Sequence, residues 1–291
     1  MILVAKHFGC LSHRPVPTAC LVTEGAITLR LCRFRLLAPV CQCGRIHIFM
    51  ITSLEPRIET VYFASEDCRL KGELHLPPEP APPIVIGSHG FRANRNSPKL
   101  LALADRCNRC GIGFFRFDHR GCGESEGSFD SGTSLRARCT DLFSAIRTLQ
   151  QMGHAKSGIG LFGSSMGGAT VLAAAGQIPV SAIVSYAAPI RYLTHSDIPS
   201  RTSETLRQQN SGIRFDTQFN FSAIHHLLIF HGDKDAVVPI DHGRDLYQLA
   251  NRPKQMIIQK GGDHPMSLPA HQSAFVREAV YWFKRCFAEI R

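Results

Sequence analysis

The sequence predicts an α/β fold in which a mainly parallel, eight-stranded sheet carries helices on both faces. Two alternating apolar and polar segments open the pattern, and six short, almost wholly apolar runs follow, with helical segments between them. Alternation is typical of antiparallel strands with one buried face, and continuous apolar runs are typical of strands buried on both faces. Strands that alternate with helices build a parallel sheet covered on both sides.

The elements follow in chain order. The antiparallel pair is expected at residues 58–64 and 69–76. The six apolar runs predict strands at residues 84–88, 112–117, 158–163, 182–187, 226–232 and 254–259. A helix should start at Ser97 as N-cap, with Pro98 behind it, and stop at Gly111. Further helices are expected at 134–153, after 165 and from 271 to the C-terminus.

One long segment without apolar runs separates the strands at 182–187 and 226–232. Its approximate bounds are residues 188–225, and it contains one candidate short helix near 200–210. Loops of this length in compact domains are usually lids or binding loops. We therefore expect a short lid insertion in a single domain that spans residues 50–291.

Residues 1–49 differ from the rest of the chain. They carry half of the net charge of +10 and precede the regular pattern. Three interpretations stay open: an organelle transit peptide, an extension, or a segment upstream of a true start at Met50. In each case we expect residues 1–49 to be poorly ordered or outside the fold.

Composition excludes several classes of protein. Beyond residue 49 the positive charge is spread without a basic run, so we expect no nucleic-acid partner. No apolar run reaches the roughly 18 to 20 residues of a membrane span. Eleven cysteines without regular spacing indicate reduced thiols, and the Cys107–Cys110 pair lacks the further ligands of a zinc site. We expect a cytoplasmic protein; the oligomeric state stays open.

The stretch from Leu161 to Gly168, LFGSSMGG, fits the pattern G-x-S-x-G between a strand and a helix. That pattern places a nucleophilic serine on a sharp turn that leaves room only for glycine two residues on either side. Ser165 has Gly163 and Gly167 in those places, whereas Ser164 has Phe162 and Met166. The spacing therefore favours Ser165 as the nucleophile.

A serine needs a base and an acid to act as a nucleophile. His264 follows the last strand in the segment GGDHP, and two carboxylates, Asp233 and Asp235, follow the strand at 226–232. The chain order Ser165, acid, His264 is the order of the α/β-hydrolase catalytic triad. The residues by themselves leave Asp233 and Asp235 open as the acid.

Four motifs together resemble the α/β-hydrolase family, in its short-lid esterase branch of feruloyl esterase-like and serine aminopeptidase-like proteins. The motifs are G-x-S-x-G, HGDKDAVVP at 231–239, FDHRGCGES at 117–125 and SHGF at 88–91. The resemblance implies Asp235 as the acid and the backbone N–H groups of Phe91 and Met166 as the oxyanion hole. It implies no cofactor and no metal.

Several other polar residues in these motifs have simpler interpretations. His89 and His231 are expected to brace loops, and Asp233 is expected to be a turn residue. The carboxylates and guanidinium of the 117–125 motif, Asp118, Arg120 and Glu124, are expected to form a buried ion-pair network.

The sequence predicts a serine hydrolase that cleaves a small-molecule carboxylic ester through an acyl-enzyme. Two alternatives use the same triad: a thioesterase and an aminopeptidase-like amidase. A third alternative, from another class, is a binding protein that keeps the fold without catalysis.

Overall fold

One eight-stranded sheet forms the centre of the structure, a computed structural model that describes residues 56–191 and 216–289. The strand order is β1-β2-β4-β3-β5-β6-β7-β8. The strands are β1 (Arg57–Ser65), β2 (Cys68–Leu76), β3 (Ile84–Ser88), β4 (Gly113–Phe117), β5 (Ile159–Ser164), β6 (Ala182–Tyr186), β7 (Leu227–Gly232) and β8 (Lys254–Gln259). Strand β2 pairs antiparallel with β1 and β4, and all other pairs are parallel. The predicted fold class is confirmed.

Six helices belong to the described residues. They are α1 (Pro98–Arg109), α2 (Phe129–Gly132), α3 (Leu135–Gln151), α4 (Met166–Ala175), α5 (Asp241–Leu249) and α6 (Pro269–Ala288). Helices α1 and α6 pack on one face of the sheet, and α3, α4 and α5 contribute to the core on the other face. Within β3, Ile84 and Ile86 join one core and Val85 joins the other. Both faces of the sheet are therefore covered, because successive strand residues point to opposite sides.

The starts and ends of the helices follow the signals in the sequence. Pro98 opens α1, and Gly111 lies just beyond its end with φ +76°. Ser134 caps α3 by accepting a hydrogen bond from the N–H of Ala137 at 3.1 Å. Gly153 follows the end of α3 with φ +82°. A positive φ suits glycine, so these residues terminate the helices where the sequence predicts.

Two features of the fold differ from the sequence-based expectation. Strand β8 is an edge strand that pairs only with β7, and Ile258 on it is 47% exposed. The prediction that this apolar run is buried on both faces is therefore wrong, because the last strand of a sheet has no further neighbour to cover it. Helix α5 is not predicted, because its nine residues between Pro239 and Pro253 contain few apolar positions.

Some predictions concern residues outside the described ranges. The N-terminal extension, residues 1–49, lies outside them, as do residues 192–215 of the expected lid and the short helix near 200–210. The division into an extension and one domain at 50–291 stays a prediction. In the part of the chain that the structure describes, no helix combines the length and apolar character that crossing a membrane requires.

Candidate active site

Ser165 occupies a sharp turn between the end of β5 and the start of α4. Its backbone has φ 55° and ψ −122°, a conformation that side-chain-bearing residues seldom adopt. Such strain costs on the order of 1–3 kcal/mol and persists only where the surroundings hold it. Here the N–H of Ser165 donates to the carbonyl of Tyr186 at 2.8 Å, and its carbonyl accepts from the N–H of Ala169 at 3.1 Å.

The glycines around Ser165 are required by space. A Cβ on Gly163 would overlap the backbone carbonyl of Gly167, and a Cβ on Gly167 would overlap the carbonyl oxygen of Ser88. The backbones of β5 and of its neighbour β3 therefore lie in close contact with the backbone of the first turn of α4. Phe162 and Met166, the residues that would flank Ser164 in the same pattern, are fully buried.

A chain of hydrogen bonds joins Ser165 to His264 and Asp235. His264 Nε2 lies 3.1 Å from Ser165 Oγ, and His264 Nδ1 lies 2.7 Å from Asp235 Oδ2. Asp235 is buried, and its other oxygen accepts the N–H groups of Val237 at 2.9 Å and Val238 at 2.8 Å. A carboxylate next to Nδ1 holds the proton there, so Nε2 is left to accept from the serine hydroxyl.

The loop that carries His264 is anchored on both sides of that residue. The hydroxyl of Tyr186 donates to the carbonyl of Asp263 at 2.6 Å, and Lys99 Nζ donates to the carbonyl of Pro265 at 2.9 Å. Burial raises the pKa of Tyr186, so its hydroxyl keeps its proton and remains a donor. Two neighbouring elements thus fix the backbone on which the imidazole is mounted.

Two backbone segments approach Ser165: the first turn of α4 and the loop after β3. Met166 is the first residue of α4, where N–H groups have no acceptor within the helix and the helix dipole favours negative charge. Gly90, in the loop after β3, also lies close, because a Cβ built on it would be 3.7 Å from Ser165 Cβ. The next peptide along the chain joins Gly90 to Phe91. The unpaired N–H groups at the start of α4 suit an oxygen that gains negative charge next to Ser165.

The two candidate acids occupy different positions. Asp235 reaches His264, whereas Asp233 accepts the N–H of Gly261 at 2.6 Å and ties the ends of β7 and β8 together. His231 is buried, with Nε2 2.8 Å from the carbonyl of Val238. Since a carbonyl can only accept, Nε2 carries the proton, and burial lowers the pKa of His231. Asp233 and His231 thus brace the turn that presents Asp235.

The 117–125 motif forms ion pairs as predicted, but in two separate groups, and the Glu124 side chain is 58% exposed rather than buried. Buried Asp118 accepts from the guanidinium and the backbone N–H of Arg95, and Glu124 pairs with the same guanidinium. Arg120 donates to Asp141 on α3 at 2.8 Å. These contacts hold the glycine loop to the segment around Arg95 and to helix α3.

Sequence reasoning missed two groups of polar residues near the site. The buried side chains of Ser88, His119 and Asp141 form a second Ser–His–Asp chain, and Arg138 on α3 is also buried. One signal was present: position 138 falls on the buried helix face that includes Leu135 and Leu142, where a charged residue is unexpected. Within the described ranges, no three His, Cys, Asp or Glu side chains are grouped so that they could hold a metal ion.

Comparison with known proteins identifies the family. A family model described as serine aminopeptidase, S33, matches residues 79–211. An uncharacterized protein of Salmonella typhi, YfhR, is 32% identical over 219 residues, and the match covers 71% of this chain and 72% of YfhR. The mitochondrial palmitoyl-protein thioesterase ABHD10 of Mus musculus is 28% identical, with 68% of this chain and 71% of ABHD10 covered.

A solved structure agrees with these sequence matches. The esterase domain of a Rhodothermus marinus protein has a TM-score of 0.57 at 25% identity, over 79% of this chain and 98% of that domain. The fold, the family model and the relative above 30% identity lead to one conclusion. The chain belongs to the α/β-hydrolase family, among its serine aminopeptidase S33-like members.

Proposed function

We propose that this protein is a serine hydrolase that cleaves a carboxylic ester through an acyl-enzyme, with Ser165 as nucleophile, His264 as base and Asp235 as orienting acid. The observation that carries the proposal is the hydrogen-bonded chain from Ser165 Oγ through His264 to Asp235, mounted on a strained turn. Strain of this kind is kept where it presents a reactive group.

The proposed reaction follows from the positions of these atoms. Ser165 Oγ attacks the ester carbonyl carbon while His264 Nε2 takes the hydroxyl proton, and the carbonyl oxygen becomes negatively charged. The N–H groups of Phe91 and Met166 stabilise that oxygen. When the tetrahedral intermediate collapses, the carbon–oxygen bond to the alcohol breaks and His264 gives its proton to the leaving group. Water then attacks the acyl-enzyme by the same route and frees Ser165.

Each part of the site has a distinct energetic role. Asp235 stabilises the imidazolium that forms when His264 is protonated. This role requires the Asp235 carboxylate to stay in contact with His264 Nδ1. Loss of one oxyanion donor typically costs about 100- to 1,000-fold in rate. The amides of Phe91 and Met166 need no metal for this purpose. The proposal therefore uses only groups of the chain itself.

A thioester is the second candidate substrate. The 28% identity to a palmitoyl-protein thioesterase favours it. A thiolate leaves a tetrahedral intermediate without protonation, whereas an amide nitrogen must be protonated first, so the same triad can act on thioesters with less demand on His264. We place the aminopeptidase-like amidase below both, and the non-catalytic binding protein below all three.

An assay with graded substrates tests the proposal. Wild-type protein and Ser165→Ala are compared on p-nitrophenyl esters of increasing acyl length, on matched acyl thioesters and on aminoacyl anilides. We expect ester turnover by the wild type alone and covalent labelling of Ser165 by a fluorophosphonate probe. Folded wild-type protein that turns over none of these substrates would contradict the proposal and leave the binding protein as the explanation.

A further inference from the structure

The carbonyl of Gly90, in the segment that approaches Ser165, accepts hydrogen bonds from two buried side chains. His89 Nδ1 lies 2.8 Å from this oxygen, and Arg138 Nη2 lies 3.3 Å from it. Arg138 Nη1 also donates to the carbonyl of His89 at 2.8 Å. Two successive peptide groups, His89–Gly90 and Gly90–Phe91, are therefore held by side chains.

His89 acts here as a neutral donor. The backbone N–H of His119 points to His89 Nε2 at 3.1 Å. Since a backbone N–H can only donate, Nε2 is the acceptor and Nδ1 carries the proton that reaches Gly90. Burial, followed by the positive charge of Arg138, lowers the pKa of His89 well below its ordinary value, which agrees with a neutral ring.

Arg138 is an unusual residue for its location. It is 1% exposed, and no carboxylate among the residues that the structure describes lies within ion-pair distance of its guanidinium. A buried charge without such a partner is expensive, and an apolar side chain of similar volume is often the more stable choice at such a site. An apolar residue at this position would avoid that cost, but it would leave the carbonyls of His89 and Gly90 without the guanidinium.

The geometry of the peptide group gives a reason. In a trans peptide the C=O and the following N–H lie in one plane and point in opposite directions. Donors that hold the Gly90 carbonyl consequently point the N–H of Phe91 away from themselves, to the opposite side of the peptide. A cationic donor also polarises the amide, which makes its N–H a stronger donor. The carbonyl contacts thus control the orientation of the Phe91 amide, in the segment that approaches Ser165.

We propose that Arg138, with His89, is a positioning residue that aims and polarises the Phe91 N–H as an oxyanion donor. This inference rests on the proposed serine hydrolase function. The role of Arg138 is indirect, because its guanidinium contacts the backbone of the 88–91 segment and not the substrate. Its effect should therefore be seen in the transition state, where charge develops on the oxygen, and little in substrate binding.

Kinetics of two variants test the inference, with a third variant as control. Arg138→Met removes the donors and the charge at similar volume, and Arg138→Lys keeps the charge with a smaller donor set. Arg116→Met is the control: Arg116 is also buried and also donates to a carbonyl of the same loop, that of Arg95 at 3.0 Å, but its other partners are His75, Asn96 and the carboxylate of Glu73. We measure kcat and KM on a p-nitrophenyl ester and the inhibition constant of an alkyl boronic acid.

We expect kcat to fall about 100-fold in Arg138→Met and about 10-fold in Arg138→Lys, with KM within about threefold of wild type. The inhibition constant of the boronic acid, which mimics the tetrahedral intermediate, should rise by the same factors as kcat falls. Arg116→Met should lower the unfolding midpoint and leave kcat of the folded protein within about threefold. If Arg138→Met does not fold, Arg138→Lys carries the test by the same comparison.

Three outcomes would overturn the inference. Wild-type kcat in a folded Arg138 variant, while Ser165→Ala is inactive, overturns the positioning role alone. An equal loss of kcat in Arg116→Met does the same, because the effect would then be one of general destabilisation. Wild-type protein that neither hydrolyses esters nor labels at Ser165 overturns the proposed function, and the inference falls with it.

Discussion

The molecule contains two Ser–His–Asp chains with the same order of atoms. In the first, Asp235 binds His264 Nδ1 at 2.7 Å and Ser165 Oγ lies 3.1 Å from Nε2. In the second, Asp141 lies 3.2 Å from His119 Nδ1 and Ser88 Oγ lies 2.8 Å from Nε2. The hydrogen-bond connections alone do not distinguish the two sites.

Their surroundings differ in four respects. The His264 side chain is 18% exposed, whereas Ser88, His119 and Asp141 are almost completely buried. Ser88 is the last residue of β3 and has no positive φ, whereas Ser165 lies on a strained turn. Asp141 is also shared with Arg120, which divides its charge between two partners. Burial and the nearby Arg138 charge lower the pKa of His119 to about 4. The difference in exposure and in backbone strain favours Ser165 over Ser88 as the proposed nucleophile.

The largest expected effect separates the two serines. Ser165→Ala should lower kcat for ester hydrolysis about 10⁵- to 10⁶-fold, because it removes the attacking atom. Ser88→Ala removes one buried hydrogen bond, so we expect a loss of about 1 kcal/mol in the free energy of unfolding and a change in kcat below about threefold. Steady-state assays and urea denaturation of both variants measure this difference. Comparable losses of kcat in the two variants would remove the distinction.

Substitution of the two aspartates, Asp235 and Asp141, should also affect catalysis in one case and stability in the other. The effect on kcat should be smaller than that of Ser165→Ala. Asp235→Asn should lower kcat about 10⁴-fold, because His264 loses the partner that sets its tautomer. Asp141→Asn should instead lower the free energy of unfolding by about 3 kcal/mol, because it breaks a buried pair. Asp233→Asn is the matched control from the Asp235 loop and should change kcat by less than about threefold. A large loss of kcat in Asp233→Asn would reassign the acid.

Acid should destabilise the fold through its buried histidines. Burial lowers the pKa of His89, His119 and His231 in the folded protein. The unfolded chain therefore binds more protons as the pH falls from about 6.5 towards 4, and the free energy of unfolding falls with it. Urea denaturation at pH 7 and pH 5 should show a loss of at least about 1 kcal/mol. A free energy of unfolding that stays constant or rises towards pH 5 would contradict this assignment of neutral, buried rings.

The smallest expected effect is at the serine next to the nucleophile. Ser164 is the last residue of β5, and Ser164→Ala should change kcat by less than about threefold. The same ester assay measures it beside Ser165→Ala. A loss of activity in Ser164→Ala, with retention in Ser165→Ala, would show that the glycine pattern selects the wrong serine.

Most of the sheet could be predicted because its signals are local. Apolar runs between turn residues mark strands, and β3 and β8 begin and end where the sequence places them. The exposure of β8 could not be predicted, because it depends on which strand is last in the sheet. The choice between Asp233 and Asp235 could not be made from their positions in the chain, since both follow the same strand. The family resemblance implies Asp235, and in the fold it is Asp235 that reaches His264.

The sequence by itself determined the succession of strands and helices along the chain, the glycine pattern around Ser165 and the family resemblance. Each of these depends on residues that are close together in the chain. Only the tertiary structure decided that Ser88, His119 and Asp141 meet in the interior and that Arg138 donates a hydrogen bond to the Gly90 carbonyl. Contacts across 31 to 49 positions, such as Ser88–His119 and Arg138–His89, depend on how the strands are ordered in the sheet. No local pattern contains that order, so the second Ser–His–Asp chain emerges only once the sheet has formed.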